Sequence, residues 1–194
     1  MVTALKLTID QLEALPDDNN RYELIDGELI VSIAPGIPHQ LSLGQLFYRL
    51  TSYLVSNPIG LLIFGPGVVF DDYNGVIPDM VFVSAERQHI ITERGLIDAP
   101  DLIVEVVSPG EKNSERDRQL KRQLYSRRGV REYWVVDPQL RLIEVYRLHE
   151  NVLVLEATLR GSDVLTSALL PGFSCVVSEI LALILSLVRT TRLL

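Results

Sequence analysis

The sequence predicts a single α/β domain, and three observations carry that expectation. Residues 99–137 (APDLIVEVVSPGEKNSERDRQLKRQLYSRRGVREYWVVD) read as strand, tight turn, helix and strand. Leu43, Leu46, Phe47, Leu50 and Leu54 fall at i, i+3, i+4, i+7 and i+11, an amphipathic helical stripe. Short alternating segments joined by Asp26-Gly27 and Asp137-Pro138 read as a hairpin and a meander. A chain of 194 residues that is 47% hydrophobic suits one domain with a substantial core. Residues 1–194 are therefore taken as one unit, with 178–194 a helical packing or oligomerisation element at its end.

In chain order, Thr8 to Gln11 is a capping-box pattern that starts a short helix, stopped by Pro16. Arg21 to Ile33 is a hairpin about Asp26-Gly27, with Glu23 and Glu28 on its arms as solvated edge charges. Pro38 and His39 open the amphipathic helix, which Asn57-Pro58 ends; His39 reads as a surface or capping residue. Leu61–Phe64 and Val68–Phe70 are short strands about a turn, followed by the turn-rich Asp71 to Gly75. Val76 to Val83 reads as an internal strand that carries one acid, Asp79; alone, such an acid is best read as a turn hydrogen-bond acceptor. A polar connection, 84–98, leads to the strand Asp101–Val107. The next helix starts near Ser114 and Asp117 and closes at Gly129. Strands Val130–Asp137, Arg141–Arg147 and Val152–Ala157 follow, then a last apolar helix, Ser178–Val188.

Composition narrows the chemistry. One cysteine, Cys175, cannot form an internal disulfide, and the three histidines show no metal-ligand spacing, which argues against a Cys/His zinc site. The N-terminus lacks a signal-peptide core, and Ile180–Val188 is too short to span a bilayer; a cytoplasmic protein without a membrane partner is expected. Net charge is −7, yet residues 112–131 hold eight of the 18 basic residues against only Glu115 and Asp117. That window is +6 and the remainder −13. It reads either as a solvated helix face or as a basic surface able to meet phosphate.

Two acids and a lysine stand out. Glu105 interrupts an apolar strand, where a lone carboxylate is costly unless a cation is near. At about 100° per residue, Lys121 falls within the apolar arc of Leu120, Leu124 and Tyr125 on the next helix. With Asp79, these form a set of hard oxygen donors plus an amine, suited to Mg²⁺ or Mn²⁺ and to phosphoryl chemistry. No nucleophile elbow and no phosphate-binding glycine loop supports a conventional hydrolase.

Pro78-Asp79 followed 26 residues later by Glu105 resembles the PD-(D/E)XK nucleases. More closely, RYELIDGEL (21–29), VIPDMVFV (76–83), APDLIVEVVSP (99–109), the run Asp117, Lys121, Tyr125, and GVREYWVVDP (129–138) resemble the Uma-type restriction-endonuclease-like proteins, over roughly residues 8–175. The resemblance implies a central mixed sheet flanked by helices and Mg²⁺- or Mn²⁺-dependent hydrolysis of DNA by a homodimer. It implies Asp79 and Glu105 as catalytic metal ligands with Val106 in the ligand set, and Lys121 as the catalytic lysine, displaced from position 107, where this chain has valine. Accessory roles fall to Asp117, Tyr125 and an additional acid, Glu23 or Glu28, with Glu28 the choice. Lys112, Arg116, Arg118 and Arg122 would contact DNA. Two other readings remain open: a nuclease-fold protein that binds nucleic acid or protein without cutting, and an assembly module whose contact is the C-terminal helix.

Overall fold

The computed structural model describes residues 6–16, 18 and 20–181, with Glu111 and Lys112 described by backbone alone. Helix α1 (Ile9–Glu13) begins with the expected capping box, Thr8 and Gln11 each bonding the other's backbone. Strands β1 (Arg21–Ile25) and β2 (Glu28–Ser32) pair antiparallel about Asp26 and Gly27, both at positive φ as a tight hairpin turn demands. Helix α2 spans Ile37–Ser56. Strands β3 (Gly60–Phe64), β4 (Val68–Asp71), β5 (Asn74–Val76), β6 (Met80–Ser84) and β7 (Leu102–Val106) follow. After β7 come α3 (Glu111–Glu115), a π-helical segment (Arg116–Lys121) and α4 (Arg122–Arg127), continuous with one another. The chain continues through β8 (Glu132–Asp137), β9 (Leu142–His149), β10 (Val152–Arg160), β11 (Val164–Thr166), β12 (Ser174–Val176) and α5 (Val177–Leu181).

The central sheet is mixed, in the order β10-β9-β8-β7-β6-β3. Only β7 and β8 run parallel within it, and the helix between them is the crossover that a parallel pair requires. Alternation along the strands splits the core in two. Met80, Phe82, Leu102, Val104, Trp134 and Val136 face α2 and α5. Val81, Val83, Ile103, Tyr133 and Val135 face α4 and the second sheet, β2-β1-β5-β4. Asp79 and Glu105 share the odd-numbered parity of this second face.

Several expectations need correction. Residues 76–83 are not one strand: β5 lies in the four-stranded sheet and β6 in the central one. Pro78 has no N–H to give a ladder, and Ile77 is held by side chains, its N–H donating to Glu23 Oε1 at 2.8 Å and its carbonyl accepting from Arg21. Asp79 therefore stands at the crossing between sheets. β3 and β4, expected to flank one turn, likewise belong to different sheets. The basic helix starts at Glu111, so Ser114 is inside it and accepts a bond from Arg118 instead of capping. Of the C-terminal element only Val177–Leu181 is described, buried against α2, β9, β10 and β12; the remainder lies outside the described residues. No helix among the described residues is long and apolar enough to cross a membrane.

Candidate active site

A pocket of about 480 Å³ opens where the hairpin β1–β2, the start of α2, the end of β7 and the basic helix converge. Asp79, Glu105 and Lys121 all line it. Residues Met80, Val81 and Phe82 of β6 pair with Val104, Ile103 and Leu102 of β7, and one further step sets Asp79 opposite Glu105.

Lys121 is the hub. Its Nζ donates to Glu105 Oε1 at 2.9 Å and to Glu23 Oε1 at 3.0 Å, with all three side chains at most 5% exposed. Tyr125 Oη donates to the same Glu105 oxygen at 2.8 Å. The other oxygen, Oε2, has no hydrogen-bond partner among the described residues. Burial pushes the Glu105 carboxyl up to about 8, against the pull of Lys121 and with Asp79, Asp117 and Glu23 adding to the rise. For Lys121 burial acts to lower the pKa, but Glu105, Glu23 and Asp117 outweigh it and hold the amine charged above its ordinary range. Burial also lifts the Tyr125 phenol well above its usual value.

Asp79 is held by three donors: Arg21 Nη1 at 3.2 Å on Oδ1, and His39 Nε2 at 3.0 Å and Val106 N–H at 2.8 Å on Oδ2. Burial disfavours its charge, but the His39 contact and the Val106 N–H more than compensate, and its pKa lies below the ordinary carboxylate value. Asp117 is buried beside Arg116, Nε to Oδ1 at 3.0 Å, and burial raises its pKa despite Lys121 and Arg116. Arg116 also reaches Ser32 Oγ at 3.1 Å and lines the pocket.

Not every expected residue arrives. Glu28 is exposed and lines no part of the pocket; Glu23, on the other arm of the hairpin, contacts Lys121 instead. Arg118 is committed to Asp137 and Glu144, at 2.9 and 2.7 Å, and Arg122 lies over the Tyr146 ring. Neither lines the pocket, and the Lys112 side chain lies outside the described residues. Val106 faces the pocket rim but can offer only backbone groups. His39, expected at the surface, is buried on Asp79. Its place was readable, because it precedes Leu43 by one helical turn and so extends the apolar stripe of α2. Glu23 shared strand parity with the buried Ile25, a weaker signal that Arg21 carries as well.

Among the described residues no three His, Cys, Asp or Glu side chains are already gathered to hold a metal ion. The donor chemistry nonetheless suits a hard divalent cation. Asp79 and Glu105 both line the pocket, and Glu105 Oε2 has no protein partner among the described residues.

The model of the Uma2 family, described as "Putative restriction endonuclease", matches residues 9–182. A crystal structure from Anabaena variabilis, described as "a putative nuclease belonging to DUF820", superposes with a TM-score of 0.74 at 16% identity, covering 91% of this chain and 98% of its own. The type IIG restriction endonuclease BpuSI superposes only loosely, with a TM-score of 0.42 at 16% identity over 84% of this chain and 18% of that enzyme. No curated protein matches.

Proposed function

Because this chain belongs to the Uma2 family of restriction-endonuclease-like proteins, with the corresponding mixed-sheet fold, we propose that it is a Mg²⁺- or Mn²⁺-dependent endonuclease that hydrolyses DNA phosphodiester bonds. The observation that carries this reading is the buried Lys121 bridging Glu105 and Glu23 on the pocket wall, with Asp79 lining the same pocket.

Asp79, Glu105 and the Val106 carbonyl would hold the ion, which supplies Lewis acidity at the phosphoryl oxygen and lowers the pKa of a water. Val106 N–H and His39 fix the Asp79 carboxylate so that it presents one oxygen to the pocket. Glu23 and Glu105 keep Lys121 charged, so its amine can stabilise negative charge developing on the phosphate. Tyr125 and Lys121 fix one oxygen of Glu105, Oε1, and leave Oε2 for the ion. Arg116, anchored by Asp117, places a positive charge on the pocket wall for the DNA backbone.

The test is nicking or linearisation of supercoiled plasmid with Mg²⁺ or Mn²⁺. The parent should cut, and Asp79→Asn and Lys121→Ala should lose at least a hundredfold, the order expected for deleting a preorganised charge. Variants that fold and cut like the parent would remove the assignment. A second reading, a nuclease fold that binds DNA without cutting, draws on the protein donors already occupying both Asp79 oxygens. It predicts DNA retention that weakens steeply with salt, no cleavage and no Mn²⁺ binding heat.

A further inference from the structure

The two oxygens of Asp79 are held in different ways. Oδ2 takes its bonds from His39 and from the Val106 N–H, both buried and both fixed by α2 and β7. Among the described residues Oδ1 takes its bond from Arg21 alone, at 3.2 Å. The Arg21 side chain is 32% exposed and lines the pocket, and its one other hydrogen bond among the described residues is to the Ile77 carbonyl. A cation reaching Asp79 from the pocket therefore meets Oδ1 and competes with a guanidinium for it. Two cations cannot share that oxygen without strong repulsion.

We propose that Arg21 is a latch on Asp79 that a divalent ion displaces, and that the displaced guanidinium binds the phosphate of the nucleic-acid backbone. The proposal rests on the nuclease reading and assigns Arg21 a role in it. Once displaced, Arg21 finds each other carboxylate of the cluster already paired with a cation. Glu23 and Glu105 are bonded to Lys121, and Asp117 is bonded to Arg116. The anion that can enter beside a divalent ion is a phosphate, whose paired oxygens match the planar fork of arginine. Metal and substrate then help each other: phosphate draws Arg21 away from Oδ1, and the ion frees Arg21 for phosphate. The coupling must be equal in both directions.

The test sets Mn²⁺ calorimetry on the protein alone beside DNA cleavage kinetics, for the parent, Arg21→Ala and Arg21→Lys. Removing the latch should tighten Mn²⁺ binding about tenfold, within the usual range of coupling between sites. The same change should lower kcat/KM for DNA about a hundredfold, as loss of a charge on the reacting phosphate does. Arg21→Lys should fall between the two on both measures. A purely structural role would move both measures the same way. In the parent itself, a phosphorothioate oligonucleotide should tighten Mn²⁺ binding by a factor similar to that gained in Arg21→Ala, a check that needs no variant to fold. Unchanged or weaker Mn²⁺ binding in Arg21→Ala, with the parent binding and cutting, overturns the latch alone. A parent that neither binds Mn²⁺ nor cuts overturns the nuclease reading and the latch with it.

Discussion

Replacing Lys121 by methionine keeps the aliphatic stem and removes the charge. In the parent, Nζ lies 2.9 Å from Glu105 and 3.0 Å from Glu23, with every partner buried. Deleting one partner of a buried ion pair leaves an uncompensated charge and costs about 3–5 kcal/mol. Here the loss at pH 7 falls near the lower end, about 3 kcal/mol, because burial already raises Glu105 to about 8 and it can keep a proton. Without its cation Glu105 rises further in the variant, so its contribution to stability is intact below the ordinary carboxylate range and is lost as pH rises towards the folded value. The penalty should therefore be smallest at pH 5 and grow by pH 8.5. Guanidinium denaturation reads it as a midpoint shift of roughly half to one molar at pH 7. Glu23→Gln in the Lys121→Met background should restore more than half of the loss. A penalty below about 1 kcal/mol, or one equal at pH 5 and 8.5, would refute the assignment of Lys121 as the counter-cation of this buried acid pair.

Two further outcomes follow from the same electrostatics. Asp101 is fully buried; burial opposes its charge, but bonds from the Ser84 N–H at 2.8 Å and from Arg131 at 3.1 Å hold its pKa below the ordinary value. Its stabilisation is present above the ordinary carboxylate pKa and is lost as pH falls through the lowered one, so Asp101→Asn should cost about 2 kcal/mol at pH 7 and much less near pH 3 by thermal or chemical denaturation. Equal cost at both pH values would show that the charge contributes nothing. Because Glu105 must ionise to ligate a metal and its carboxyl is pushed up to about 8, Mn²⁺ binding should release more protons at pH 7 than at pH 9, measured by calorimetry in buffers of different ionisation heat. Release that does not change with pH would show that Glu105 is not the titrating ligand.

The sequence made the architecture readable wherever local pattern and burial agree. The capping box at Thr8, the hairpin at Asp26-Gly27 and the α2 stripe all depend on chemistry within a few residues, and all form as expected. Asp79, Glu105 and Lys121 drew attention because each is a charge set in an apolar context, a conflict that only tertiary contacts resolve. Other features needed the third dimension. The break at Pro78 depends on Glu23 and Arg21, more than fifty residues away, supplying bonds to Ile77 that a ladder would otherwise make. The π-helical segment, which widens the turn bearing Asp117 and Lys121, has no short-range signature, although such segments favour functional sites. Arg118 looked like a DNA contact because charge counting cannot see Asp137 and Glu144 waiting for it. Glu28 and Glu23 are alike in sequence, and only the docking of the hairpin on the basic helix separates them.

In the proposed function the Asp79–Glu105 pair accepts a divalent ion beside a buried lysine. A crystal soaked in Mn²⁺ and measured by anomalous scattering tests that most directly. The expected density is a Mn²⁺ peak touching Asp79 Oδ1 and Glu105 Oε2, with Arg21 moved off the carboxylate and Lys121 still on Glu105. A saturating soak that leaves Arg21 on Asp79 and places no ion between the two acids would contradict it.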